Sequence, residues 1–272
     1  MTDAQWIDSH AHLTMFEPDE VPAVLERASA AGVGGVLVPA TNGEDLDRAI
    51  ALAGEHPGRV VAAAGVHPHD ASSLDDGLKR RVAGGLTAAG VVAVGEIGLD
   101  YHYLNSPRED QIAALEWQLD LAIEVGLPVV LHNRDSWDDL VQRLTARSGR
   151  LRGVCHSFTE SPEAARTVQD LGLVVGISGM VTFKRADNIR EMASAVSPSG
   201  AMVETDSPYL APVPHRGTRN EPAYVPHVGA ELSRVWGQEV AVTAAQTTAC
   251  FRSLFGLPET WPAPVAGGGG TR

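Results

Sequence analysis

The segment LPVVLHNR, residues 127–134, runs from a proline through three apolar residues into a polar ending that holds His132 and Arg134. A short β-branched run bounded in this way reads as a buried strand. On a strand, residues two apart share a face, so His132 and Arg134 would leave its C-terminal end on the same side.

The same design recurs along the chain. QWIDSHAH (5–12), GVGGVLVPAT (32–41), VVAAAGVHP (60–68), VVAVGEIGLD (91–100), RGVCHSFT (152–159), LVVGISGMV (173–181) and AMVETDSPYL (201–210) are apolar runs, most of them ending in polar residues, which with 127–134 makes eight. Amphipathic segments lie between them, such as DEVPAVLERASAA (19–31), GEDLDRAIALAGEH (43–56), SPREDQIAALEWQLDLAIEVG (106–126) and SPEAARTVQDLG (161–172). Several open on Ser, Asp or Asn with Pro or Glu close behind, as helix starts require, and Gly32, Gly126 and Gly172 suit helix C-termini. Strand and helix alternating eight times implies parallel strands, and the economical closure is a (β/α)8 barrel of the TIM type; a doubly wound open sheet is the alternative. The position of the polar residues favours the barrel, because such barrels build their active sites at the C-terminal ends of the strands. A single domain over residues 1–258 is expected, followed by a flexible Gly-rich tail over 259–272.

Composition narrows the function. The chain has 272 residues, 44% hydrophobic and 20% charged, which is ordinary for a globular protein. No apolar run reaches the ~18 residues of a membrane span, and Asp3 and Asp8 stand where a signal peptide would be basic, so a cytoplasmic location with no membrane partner is expected. Cys155 and Cys250 form no disulfide framework. A net charge of −13 argues against an extended surface for gripping duplex by its phosphates, so any phosphate must be met locally.

Six of the runs carry chemistry at their ends: His10 and His12; His67 and His69; Glu96; His132 and Arg134; His156; Glu204 and Asp206. A single histidine of this kind is usually a core residue and a single glutamate usually solvated. Imidazoles and carboxylates converging on one barrel mouth instead make an N/O site for divalent transition metals.

DSHAHL, GVHPH, VGEIGLDY, HNRDS, HSFT, ETDSPYLAP and RNEPAYVPHV together resemble, in order and spacing, the TatD family of metal-dependent hydrolases, over about Trp6 to Phe255. The resemblance implies a distorted (β/α)8 barrel, one or two divalent metal ions, and nuclease activity, typically 3′-to-5′ exonuclease action on DNA. It places metal ligands at His10, His12, Glu96, His132, His156 and Asp206. Ala11 stands where many members carry Cys, and HSFTES replaces the commoner HCFTG, which bears on substrate preference but removes no ligand.

On this reading His10 and His12 hold one metal with Asp206, His132 and His156 hold a second, and Glu96 bridges them. Zn, Mn, Mg, Fe, Co and Ni all remain compatible. Asp206 is expected to act as general base and Glu204 to orient ligands behind it. Arg134, His67 and Arg219 are the candidates for substrate phosphate, with Arg219 also suited to bracing its loop. The expected partners are DNA ends or short oligonucleotides, taken by a monomer. Two other functions compete: amide, lactone or ester hydrolysis of the amidohydrolase type, and metal binding without catalysis. Glu96 stands where two-metal amidohydrolases often place a carbamylated lysine, and this together with Arg134 favours the phosphodiester.

Overall fold

The computed structural model describes residues 5–263. The chain alternates β1 (Trp6–Asp8), α1 (Val21–Ala30), β2 (Val33–Pro39), α2 (Leu46–Glu55), β3 (Val60–Ala64), α3 (Asp76–Gly85), β4 (Val91–Asp100) and α4 (Arg108–Val125). It continues through β5 (Val129–Arg134), α5 (Trp137–Thr145), β6 (Gly153–Cys155), α6 (Pro162–Asp170), β7 (Val174–Ile177), α7 (Asp187–Ser194), β8 (Ala201–Val203), α8 (Val225–Trp236) and α9 (Val240–Phe255). All eight expected strands form, in one parallel sheet ordered β1 to β8. The ends of that sheet meet: Ser9 donates to the Val203 carbonyl, Asp206 to the His10 carbonyl and His12 to the Ser207 carbonyl, at 2.8 to 3.0 Å. The sheet is thus a nearly closed barrel, and the open-sheet alternative falls away.

Local chemistry explains the element ends. Gly32, Gly126 and Gly172 all take positive φ just past α1, α4 and α6, where a side chain would be strained. Ser161 accepts the Ala164 amide at 3.2 Å and caps α6.

Two apolar layers hold the barrel. The larger lies between strands and helices, with Leu25, Leu52, Leu115, Leu119 and Leu140 fully buried. The smaller fills the interior with Ile7, Leu37, Val61, Ala63, Ala93, Val130, Val154 and Met202. Its floor is made by Phe251, Leu254, Phe255 and Trp261, the last stacked on Phe251 at 5.5 Å. Trp261 falls inside the segment expected to be a tail, and this is a correction: a large aromatic is worth more as a plug under the barrel than in water. Ala263 comes two residues later, donating to the Gly58 carbonyl at 2.7 Å. The expected flexibility of 264–272 lies outside the described residues. No helix among those described is long and apolar enough to cross a membrane.

Candidate metal centre

The pleat that buries Val130, Val154 and Met202 in the interior sends His132, His156 and Glu204, each two residues further on, to the same side at the upper rim. Two further residues bring up Arg134 at the end of β5, and Asp206, which stands past the end of β8 with a left-handed backbone (φ 57°).

Strand β4 needs an irregularity. Ala93 faces the interior, so an unbroken pleat would also turn Gly95 inward and Glu96 away. The register with β5 slips between Val94↔Val129 and Ile97↔Leu131, three residues against two. Such a bulge re-aims the residues beyond it, and here Glu96, Gly98 and Asp100 face the centre while Ile97 joins the outer core. Gly98 lies against β5 so closely that a Cβ would fall 2.0 Å from the His132 carbonyl oxygen.

His10 and His12 arrive differently from the expectation that they share the face of a strand. Regular β1 stops at Asp8, and the residues after it are fixed by bonds to the neighbouring strand ends, including Ala11 to the Leu37 carbonyl at 3.0 Å. The rings still converge, Nε2 to Nε2, at 3.2 Å.

Glu96 sits between two imidazole pairs. Its Oε1 lies 2.8 Å from His156 Nε2 and 3.0 Å from His132 Nδ1, and those two nitrogens are 3.1 Å apart. Its Oε2 lies 3.2 Å from His10 Nε2 and 3.7 Å from His12 Nε2. Asp206 Oδ1 completes the second group at 3.4 Å from His12. Ligands at ~2.1 Å from a common ion, at right-angled to tetrahedral geometry, stand roughly 3.0–3.4 Å apart, which both pairs match. Glu96 Oε2 is buried with no hydrogen-bond partner. A cation between the rings would satisfy it, so the donor set fits divalent metal.

The surrounding side chains aim the rings. Asp100, buried, sets Oδ2 at 3.1 Å from His132 Nε2 and 2.9 Å from His69 Nε2. Burial alone would raise its pKa, but the bonds from His132, His69 and the Tyr103 amide hold it well below the usual carboxylate range. Glu204 is fully buried behind the centre, 3.5 Å from His156 Nδ1, and accepts from Ser9 Oγ and the Ser157 amide. It does not line the cleft, which argues for orientation of His156. Asp8 accepts Thr205 Oγ1 at 2.6 Å and the Thr205 amide at 2.9 Å, tying the start of the site to β8.

His67 lies 3.5 Å from Glu96 Oε1, near enough to count as a ligand. Its Nδ1, however, accepts the His69 amide at 3.1 Å, which leaves the proton on Nε2. Burial pushes its pKa down to about 4, so the ring is a neutral donor facing the cleft.

The cleft, about 650 Å³, is lined by His12, His67, Tyr103, Arg134, Asp206 and Tyr209 among others. Arg134 is exposed and lies over the Tyr103 ring at 4.7 Å, with no carboxylate partner among the described residues. Asp135, a neighbour that could have neutralised it, faces His102 instead. Arg219 does not join the cleft, which corrects its assignment to phosphate: it pairs with Glu20 at 3.0 Å, donates to the Met15 carbonyl and covers Phe16, bracing the loop after β1. Buried Asn220 holds the loop after β8 through the Thr205 and Tyr209 carbonyls. His215 and His227, in the loop after β8 and the start of α8, are half-buried and meet at 3.1 Å. The Cys155 thiol is buried and pushed up to about 12, which leaves it inert. Asp100 and the donor tautomer of His67 are what sequence reasoning missed. Asp100 was signalled by standing four residues from Glu96 on one strand.

A barrel of parallel strands whose C-terminal ends gather imidazoles around a buried carboxylate defines a TIM-type metal-dependent hydrolase. Known proteins agree: a family model for TatD related DNase matches residues 7–256. An uncharacterized metal-dependent hydrolase, YabD of Bacillus subtilis, is 36% identical over 91% of this chain and 98% of its own. A 3′-5′ ssDNA/RNA exonuclease, TatD of Klebsiella pneumoniae, is 38% identical over 86% of this chain and 91% of its own. The crystal structure of YjjV, a TatD homologue from Escherichia coli, superposes with a TM-score of 0.88 at 33% identity, covering 94% of this chain and 99% of that one. The chain belongs to the TatD family.

Proposed function

We propose that this metal-dependent hydrolase removes nucleotides from the 3′ ends of single-stranded nucleic acid. One observation carries the reading: an exposed guanidinium, Arg134, with no carboxylate partner among the described residues, opens onto the same cleft as the His and carboxylate centre. A planar fork of donors there suits a phosphodiester better than an amide or lactone. The exonuclease name borne by a relative 38% identical supports it.

His10, His12 and Asp206 would hold one ion and His132 and His156 a second, with Glu96 between them. Divalent metal, when bound, supplies Lewis-acid polarisation of the phosphate and an acidified water. The chain's own groups do the rest. Of the four carboxylates around the centre, Asp206 is the most open to the cleft, its side chain 14% exposed against 2% or less for Glu96, Asp100 and Glu204. It orients the attacking water, takes its proton and returns it to the departing 3′-alkoxide of the penultimate nucleotide, releasing a 5′-mononucleotide. Arg134 and the Nε2–H of His67 donate to the non-bridging oxygens, on which charge builds in the transition state.

The test is hydrolysis of a 5′-labelled single-stranded DNA by metal-stripped protein resupplied with Mg, Mn or Zn, beside Asp206→Asn. A ladder shortening from the 3′ end, dependent on metal and lost in the variant, is expected. Absence of cleavage with every metal would overturn the proposal.

A further inference from the structure

The cleft around His156 and Asp206 continues past Met180 and Ile189, and these two side chains also line a neighbouring hollow of about 530 Å³. Phe183, Lys184, Arg185 and Arg216 are among its other lining residues. The hollow lies between the loops after β7 and β8, on the face of the barrel that holds the centre.

Its floor is built. Arg190 donates to the Val181 and Phe183 carbonyls at 2.9 and 2.8 Å, and Thr182 Oγ1 accepts the Val213 amide at 2.9 Å, joining the two loops. The Arg216 guanidinium carbon lies over the Phe183 ring, 3.7 Å from its centre. A cation–π contact of this kind positions a guanidinium without using up its N–H donors. Lys184 is one of only two lysines in a chain of net charge −13. Lys184, Arg185 and Arg216 are exposed, and none is in an ion pair among the described residues. The acidic neighbour Asp187 is already held by Arg190 at 2.5 Å.

Three unneutralised cations on one shelf of an acidic protein, continuous with the catalytic cleft, suit a row of phosphates. We propose that this shelf carries the backbone of a single strand upstream of the nucleotide being removed. The proposal rests on the nucleolytic reading above and extends it: the centre takes the terminal phosphodiester, and the shelf makes the enzyme prefer longer strands to dinucleotides. Single strands release counterions with a slope of about −0.7 per phosphate contact, so the shelf should account for about −2 in the dependence of log affinity on log salt.

The experiment compares wild type with the K184A/R185A/R216A triple variant. Binding of fluorescein-labelled octathymidylate is monitored by anisotropy in chelator, where nothing turns over, across a salt series. Hydrolysis of the octamer and of a thymidine dinucleotide is measured with Mn. Octamer binding should weaken by roughly 10- to 100-fold in the variant and its salt slope should flatten by about 2, while dinucleotide turnover stays as in wild type. Equal octamer binding and slope in the two proteins would overturn the shelf and leave the nuclease reading standing. Failure of the wild type to hydrolyse either substrate would overturn the nuclease reading, and the binding arm would still decide the shelf. An oligoglutamate of matched charge that displaces the octamer at equal concentration would show a general anion surface and overturn the strand assignment.

Discussion

Asp100 and Glu96 hold opposite sides of the His132 ring: Asp100 Oδ2 is 3.1 Å from Nε2, and Glu96 Oε1 is 3.0 Å from Nδ1. A ring donating Nε2–H to a carboxylate is locked in the tautomer that offers Nδ1 as a ligand, and is made more basic. Asp100 also accepts the amides of His102 and Tyr103, which an asparagine side-chain oxygen can still do. Asp100→Asn should therefore fold normally and bind metal about 10- to 100-fold more weakly, read by metal titration of the stripped protein. Unchanged affinity would mean that His132 is oriented by packing alone.

Gly176 leaves the room in which Glu204 sits. A Cβ there would lie 2.6 Å from Glu204 Oε2 and 3.0 Å from the His156 Cα. Gly176→Ala should cost about 1–3 kcal/mol in urea denaturation and also weaken metal binding, since Glu204 and His156 must both shift. Gly54, in α2, has nothing within 4 Å of its added Cβ. Gly54→Ala should stabilise by about 0.5–1 kcal/mol and leave metal affinity alone, which separates crowding from a general effect of alanine.

Trp261 closes the barrel floor at the end opposite the metal centre. Its ring stacks on Phe251, and a Cβ on Gly35 of β2 would meet it at 2.5 Å. Trp261→Ala should lose about 3–5 kcal/mol of stability while the folded fraction keeps wild-type metal affinity. A chain ending at residue 258 should show the same loss. Stability equal to wild type would return the segment to the role of a tail.

These residues also mark where sequence reading succeeds and stops. The eight strands were legible because each is a short apolar run with helix signals on both sides, and His132 because plain alternation within β5 carries it to the rim; His156 and Asp206 were legible as strand-end residues, although they stand just past β6 and β8 and Asp206 takes a left-handed backbone. Glu96 was legible as a ligand through its motif but not through strand alternation, since its aim depends on a bulge that only pairing with β5 creates. His10 and His12 were paired for a reason that does not hold, because β1 ends before them. Trp261 was hidden by the Gly-rich stretch after it. Arg219 had two readings that only its position beside Glu20 and Phe16 decides.

Arg134 offers the sharpest test of the substrate. Its guanidinium lies over Tyr103 and has no carboxylate partner among the described residues, so its removal should leave metal affinity and stability near wild type. Charged hydrogen bonds of this kind are worth about 1.5–3 kcal/mol, so Arg134→Ala should lower kcat/KM on oligonucleotides by roughly 10- to 100-fold. Arg134→Lys keeps the charge but loses the fork, and should recover only part of the rate. If the enzyme instead acted on an uncharged amide or lactone, its turnover would be nearly indifferent to both changes. A full rate in Arg134→Ala on single-stranded DNA would show that the metal centre alone carries the phosphate.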